Sequence, residues 1–301
     1  MQNNRLFCFG LGYSALVLAQ RLSDKGWHIA GTCRSDRAIA ELTARGLSAF
    51  RFERVHPLAN PAAVFAGTTH LLLGVPPDAH GDPVFDLHGG DIARLFPRLV
   101  WAGYLSTTGV YGDTGGTLVD ESSPLNPSGP RQRKRVAAEQ NWLSLHDSAG
   151  LPLHIFRLAG IYGPGRSALD QVRAGTAKRI DKPGHLFSRI HVEDITNVLM
   201  ASIARPRPGT VYNVCDDEPA TPADVIAQAC DLLKVPAPPL IPFATAELTP
   251  MAASFWRDNR IVSNRRIKQE LGVRLLYPNY RVGLASLAAK TLSPPESRSR
   301  L

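Results

Sequence analysis

Cysteine is sparse: the four in the chain, Cys8, Cys33, Cys215 and Cys230, lie far apart, form no C-x-x-C pair and have no clustered histidines beside them. A disulfide framework and a zinc site are therefore not indicated, and a reducing cytoplasm fits best. Long apolar runs are missing as well. No uncharged stretch reaches the roughly 18 residues that a membrane helix needs, and the first residues lack the n-region, h-region and cleavage site of a secretory signal. No internal repeat is evident. Acidic side chains are outnumbered, 26 against 34 lysines and arginines, for a formal charge of +8. The densest basic segment, Arg131 to Arg135, is short and opens an amphipathic helix with Val136, Ala137, Trp142 and Leu143. No nucleic-acid-binding module accompanies it, so neither nucleic acid nor membrane is expected as a partner. The positive excess suits an anionic small molecule, such as a dinucleotide, equally well.

What is present is a chain of 301 residues, 44% hydrophobic, enough to fill a sizeable core. Its opening run, Leu6 to Phe9, is an apolar strand that leads into Gly10-x-Gly12-x-x-Ala15 and then a helix with Leu16, Ala19 and Leu22 on one face. This is the layout of a dinucleotide-binding turn. Gly10 permits the tight turn, Gly12 lets backbone approach a pyrophosphate, and Ala15 lets the helix pack close to the strand. The phosphates would sit on the helix N-terminus, near Tyr13 and Ser14. Two glycines also make an ordinary βα turn, but a second strand (27–33) ending at Arg34 favours the cofactor reading.

Further strands are expected at 47–52, 69–75, 99–105, 152–158, 187–192 and 211–215, with helices at 36–45, 57–66, 86–96, 131–146, 169–177 and 193–204. Residues 78–85 read as a surface loop and the Gly- and Pro-rich stretch 109–130 as a long loop. Residues 219–289 read as helices between proline-rich connectors, and 293–301 as a disordered tail. Strands alternating with helices predict an α/β fold with a parallel sheet that binds ligands at the carboxyl ends of its strands. Gly74 and Val75, at one such end, join the expected cofactor contacts.

Several segments together resemble the extended short-chain dehydrogenase/reductase superfamily, the NAD-dependent epimerase/dehydratase group. They are Gly10-x-Gly12, Ser106 to Gly112, Asp120-Glu121, Glu139, Arg157, Tyr162-Gly163-Pro164, Arg189 to Asp194 and Tyr212-Asn213-Val214. The resemblance implies a Rossmann-type doubly wound parallel sheet with a small C-terminal substrate lobe. The expected division is a core at 1–168, a lobe insertion at 169–190, a return to the core at 191–217 and the lobe at 218–292. Within the superfamily the chain is similar to an atypical branch. Dimerisation through helices flanking the sheet would suit the family.

Active members carry a Tyr-x-x-x-Lys pair after the long loop. Aligning Glu139 with the family's glutamate puts Arg131 at the Tyr position and Arg135 at the Lys position. Arg131 stays protonated and cannot replace the Tyr as acid/base, while Arg135 can still donate to a ribose or phosphate. Thr107 falls at the family's substrate-positioning hydroxyl, and its alternative role is to bond local backbone. Tyr111 is a candidate substitute acid, with packing as its other reading; Tyr162 has the same two readings. His191 with Asp194 looks like an acid/base pair, although in the resembling family that segment is structural. Arg166 and Arg189 are expected to meet an anionic substrate, because the family handles a diphosphate there. After the second strand, Thr32, Arg34 and Ser35 offer hydroxyls and a cation where NAD-specific chains place an acid, which predicts NADP over NAD. Asp36 opposes that inference unless it caps the next helix. The expected activity is hydride transfer on a carbonyl or hydroxyl substrate. The rival is a non-catalytic NADP(H) sensor or regulator that lost its acid/base.

Overall fold

The computed structural model describes residues 4–95 and 98–292, so the tail expected at 293–301 lies outside the described residues. In chain order the strands are β1 (Arg5–Phe9), β2 (His28–Cys33), β3 (Ser48–Arg51), β4 (His70–Leu73), β5 (Trp101–Thr107), β6 (Leu118–Val119), β7 (Leu153–Leu158), β8 (Gly160–Tyr162), β9 (Arg179–Asp181), β10 (Arg189–His191), β11 (Thr210–Val214), β12 (Leu240–Pro242) and β13 (Ile261–Val262). The helices are α1 (Tyr13–Ser23), α2 (Asp36–Thr43), α3 (Pro61–Phe65), α4 (Pro83–Leu95), α5 (Pro130–Ala149), α6 (Ala168–Arg173), α7 (Val192–Ala204), α8 (Pro222–Leu233), α9 (Pro250–Phe255), α10 (Arg265–Leu271) and α11 (Tyr280–Leu292).

Seven strands form one parallel sheet in the order β11-β7-β5-β4-β1-β2-β3. The chain runs outward from β1 to β3, then jumps back to β4 and proceeds the other way, so the topological switch point lies between β1 and β4. This is a Rossmann-type α/β fold. Side chains alternate cleanly across the sheet. Leu6, Cys8, Leu72 and Phe156 face a core shared with Leu18, Leu22, Val198 and Leu199 of α1 and α7. Phe7, Phe9, Leu71, Leu73 and Ile155 face the opposite core, filled by Phe65 of α3, Ile92 of α4 and Trp142 of α5. Phe7 meets Phe65 edge-on at 5.0 Å, and each such buried ring contributes roughly 1.5–3 kcal/mol.

Beyond the sheet, α6, α8 and α11 close on a separate cluster that includes Leu169, Ile226, Ala229 and Leu284. The structure departs from the sequence reading in several places. Helix α4 begins at Pro83 inside the expected loop, because Asp82 caps it: its Oδ1 accepts from Val84 N at 2.9 Å. The 109–130 stretch is not all loop, since residues 108–111 make a 3-10 turn and β6 pairs in parallel with β13. Likewise β12 pairs with β9, so 219–289 is not helices alone. Ile267 and Leu271 of α10 pack into the sheet's own core rather than into the α6–α8–α11 cluster.

Candidate active site

At the carboxyl end of β1, Gly10 adopts φ +88° and turns the chain against β4. A Cβ there would approach Val75 Cγ2 to 3.3 Å and the Gly74 carbonyl carbon to 3.5 Å. Thr32 acts from behind this turn: it is buried, and its hydroxyl accepts from Gly10 N at 2.9 Å while its carbonyl accepts from Leu11 N at 2.8 Å. Gly74 N is bound by the Phe9 carbonyl at 2.8 Å. Ser14 and Ala15 are buried under the turn. In front, the arrangement is open. A Cβ on Gly12 would meet nothing within 4 Å, no side chain caps α1, and its first turn holds no acid. Arg34 is exposed just beyond β2. Ser35, not Asp36, is the N-cap of α2, accepting from Ala38 N at 3.3 Å, while Asp36 lies 3.9 Å from Arg51 Nη1.

A cavity of about 820 Å³ opens between the carboxyl ends of β5 and β7 and the α6–α8–α11 cluster. Thr107 and Thr108 line it from the end of β5. Thr107 Oγ1 accepts from Gly109 N at 3.1 Å, capping the 3-10 turn as the local-backbone reading expects, and this leaves its proton free to donate. Arg166, Lys178, Arg189 and Arg260 bring positive charge to the same walls. Arg166 and Lys178 form no ion pair among the described residues, whereas Arg189 Nη1 is spent on the Phe187 and Ala220 carbonyls, both at 2.8 Å.

Arg131 and Arg135 do not line the cavity. The Arg131 guanidinium lies 6.0 Å from the Phe255 ring, at the rim. Arg135 reaches the sheet, donating through Nη1 to the Tyr104 hydroxyl at 2.9 Å and to the Leu105 carbonyl at 3.1 Å.

The residues that carried the resemblance are largely one buried network. Glu139 is gripped by Arg157, with Nη2 to Oε2 at 2.7 Å, and also accepts from Ser106. Arg157 Nη1 donates to the Tyr111 hydroxyl at 2.9 Å, which donates to Asn213 Oδ1 at 2.7 Å, and Asn213 N donates to Glu121 Oε1 at 2.8 Å. Tyr111 is fully buried, and burial pushes its hydroxyl above the usual tyrosine range. Its proton is already committed, so it is not a free acid. Tyr162 does line the cavity, but burial raises its hydroxyl too. His191 and Asp194 do not pair with each other. His191 Nδ1 caps α7 at Glu193 N, and burial lowers the imidazole to about 4, whereas Asp194 accepts from Leu276 N at 2.8 Å and Tyr277 N at 2.9 Å.

Sequence reasoning missed two acids. Asp258 lines the cavity and is 5% exposed; its Oδ2 takes long contacts from Arg260 Nη1 (3.4 Å) and Gln132 Nε2 (3.5 Å), and Oδ1 has no partner among the described residues. Asp216, next to Arg189 in the interior, has both oxygens unpartnered among the described residues, and burial lifts it to about 8 against the pull of Arg189. Neither belongs to a local motif. The only sequence hint was the charged run Arg257-Asp258-Asn259-Arg260.

Residues 102–215 match the model of the NAD dependent epimerase/dehydratase family. It is 51% identical to a conserved protein of unknown function from Silicibacter pomeroyi, with a TM-score of 0.88 over 96% of this chain and 100% of that one. Protein YeeZ of Escherichia coli is 27% identical over 283 residues, 90% of this chain and 95% of YeeZ. A dTDP-glucose 4,6-dehydratase from Bacillus anthracis, solved with NAD, shares the fold at 17% identity, with a TM-score of 0.74 over 95% of each chain. No helix among the described residues is long and apolar enough to cross a membrane.

Proposed function

We propose that this chain is an NADP(H)-dependent oxidoreductase of the epimerase/dehydratase type, moving hydride to or from a carbonyl or hydroxyl carbon of a small anionic substrate. The observation that carries this reading is the open Gly10 turn at the switch point, linked through Tyr13 and Arg166 to a cavity that Thr107 lines and whose Arg166 and Lys178 form no ion pair among the described residues. The residues fit a dinucleotide: backbone amides at the uncapped start of α1 for the pyrophosphate, and Gly74 and Val75 against the Gly10 turn. When bound, the cofactor supplies a hydride acceptor or donor. Arg34 presents a planar fork to a 2′-phosphate, and the nearest acid, Asp36, stands in the first turn of α2, 3.9 Å from Arg51 Nη1. NAD-bound relatives of the fold support the nucleotide class; the preference for NADP rests on Arg34.

In this reading the core at 1–168 and 191–217 holds the cofactor, while 169–190 and 218–292 cover the substrate. Thr107 donates a hydrogen bond to the substrate oxygen and orients it, while the proton that balances the hydride comes from a donor other than the usual Tyr. Arg189 and Lys178 draw the anionic part of the substrate inward.

A second reading, a nicotinamide sensor without catalysis, is favoured by Arg131 at the rim and Arg135 tied to Tyr104, since neither can accept a proton. Calorimetric titration with NADPH and NADH, repeated on Arg34→Ala, tests the nucleotide. Loss of at least about 1.4 kcal/mol for NADPH alone, roughly tenfold, is expected. Binding of neither nucleotide refutes both readings. An enzyme oxidises NADPH only when a carbonyl compound is added; a sensor does not.

A further inference from the structure

Tyr13, the first residue of α1, is joined to a loop more than a hundred residues away. Its hydroxyl donates to the Pro164 carbonyl at 3.0 Å. Gly163 makes that approach possible, since a Cβ there would lie 2.6 Å from the Tyr13 hydroxyl oxygen. The Arg166 guanidinium, two residues further on, lies 5.7 Å from the centroid of the Tyr13 ring. Its charge is not consumed locally. Asp170 is held by Ser167 in a capping box, and Glu193 is held by Arg21 at 2.5 Å. No carboxylate lies within ion-pair distance of Arg166 among the described residues. So an exposed, uncommitted cation rests on the very side chain that opens α1, and α1 has neither a capping side chain nor an acid in its first turn.

We propose that Arg166 belongs to the cofactor site: stacked on Tyr13, its guanidinium closes over the pyrophosphate of the bound dinucleotide and fastens the 162–166 loop to the loaded turn. This rests on the nicotinamide-nucleotide reading above and moves Arg166 from the substrate's anion to the cofactor's. A pyrophosphate at a helix start is met by backbone N–H groups and the helix dipole. A guanidinium adds paired donors whose geometry suits phosphate oxygens. Because the same loop walls the cavity, the contact orders one side of the substrate site only once the nucleotide is in place.

The test is calorimetric titration of the full chain and of Arg166→Ala with three probes: NADPH, 2′-phospho-ADP-ribose, which keeps the pyrophosphate without nicotinamide, and 2′-AMP, which lacks it. For a chain that takes NADH instead, the probes are NADH, ADP-ribose and adenosine. Arg166→Ala is expected to weaken the first two by a similar factor, about tenfold, and to leave the third unchanged. Arg166→Lys recovers part of the loss, keeping charge without the planar fork, and Tyr13→Phe, which removes only the bond to Pro164, weakens binding less. Arg166→Ala binding the pyrophosphate probes as tightly as wild type overturns the proposal while leaving the nucleotide reading intact. Equal weakening of all three probes overturns it too, as a loss of fold. A wild-type chain that binds neither dinucleotide removes the functional reading itself.

Discussion

The turn after β1 and the cavity that Thr107 lines are built on opposite plans. At the turn the polar groups are answered from within: Thr32 holds the Gly10 amide, Phe9 holds the Gly74 amide, and only the start of α1 faces outward unanswered. In the cavity and just behind it, side chains are left without an ion-pair or hydrogen-bond partner among the described residues: Lys178 and the Tyr13-stacked Arg166 on the walls, Asp258 Oδ1 beside them, and the Asp216 carboxylate deeper in. Backbone geometry therefore defines the first half of the site, and side-chain chemistry defines the second. A fold can inherit the first almost intact while the second diverges.

The most severe way to break this comparison is to damage the scaffold common to both halves. Glu139→Ala leaves the Arg157 guanidinium buried and unpaired, and is expected to cost about 3–5 kcal/mol, read by urea unfolding. A loss under about 1 kcal/mol would show that the pair is not structural. Next comes the turn. Gly10→Val forces a β-branched residue to φ +88° against Val75, and is expected to lower NADPH affinity more than tenfold, beyond about 1.4 kcal/mol. Thr107→Val should then lower turnover by about tenfold or more while nucleotide affinity hardly changes. Unchanged turnover removes Thr107 from the chemistry.

Two pH effects sharpen the contrast further. His70, His154 and His191 are each held near about 4 by burial, below their unfolded value. The folded state thus binds fewer protons, so the stability they supply is complete above about pH 6.5 and is lost as pH falls through 4. Asp216 has the opposite sign. Raised to about 8, it favours folding below its unfolded value, and that contribution disappears as pH rises through 8. Asp216→Asn should flatten the fall in thermal stability between about pH 4 and 8, where the folded carboxyl keeps a proton that the unfolded chain loses, with a gain of at least about 1 kcal/mol at pH 8. A variant whose slope across that window matches wild type contradicts the raised value.

How much of this was legible beforehand follows the same division. The alternation of Leu6 and Cys8 with Phe7 and Phe9, and the glycine at position 10, are local patterns, and period and conformation can be read from neighbours. Sheet strands were placed to within two or three residues, with Thr107 at the end of β5 rather than past it. Strands β6 and β13 escaped because two residues carry no periodicity and their pairing spans more than a hundred positions. Asp258 and Asp216 were invisible for a related reason: each matters through what the distant chain brings beside it, Gln132 in one case and Arg189 in the other. His191 and Asp194 were the converse. Their spacing suggested chemistry, but backbone amides had claimed both.

The network from Ser106 through Glu139, Arg157, Tyr111 and Asn213 to Glu121 also bears on kinship. These residues hold strands, helix and loops together whatever the cavity does. Natural selection for a folded chain alone would preserve them, long after a change of substrate or the loss of a reaction. The letters by which a lineage is recognised are in this chain the ones least informative about what it now does, and a descendant that had fallen catalytically silent would still carry its ancestor's signature.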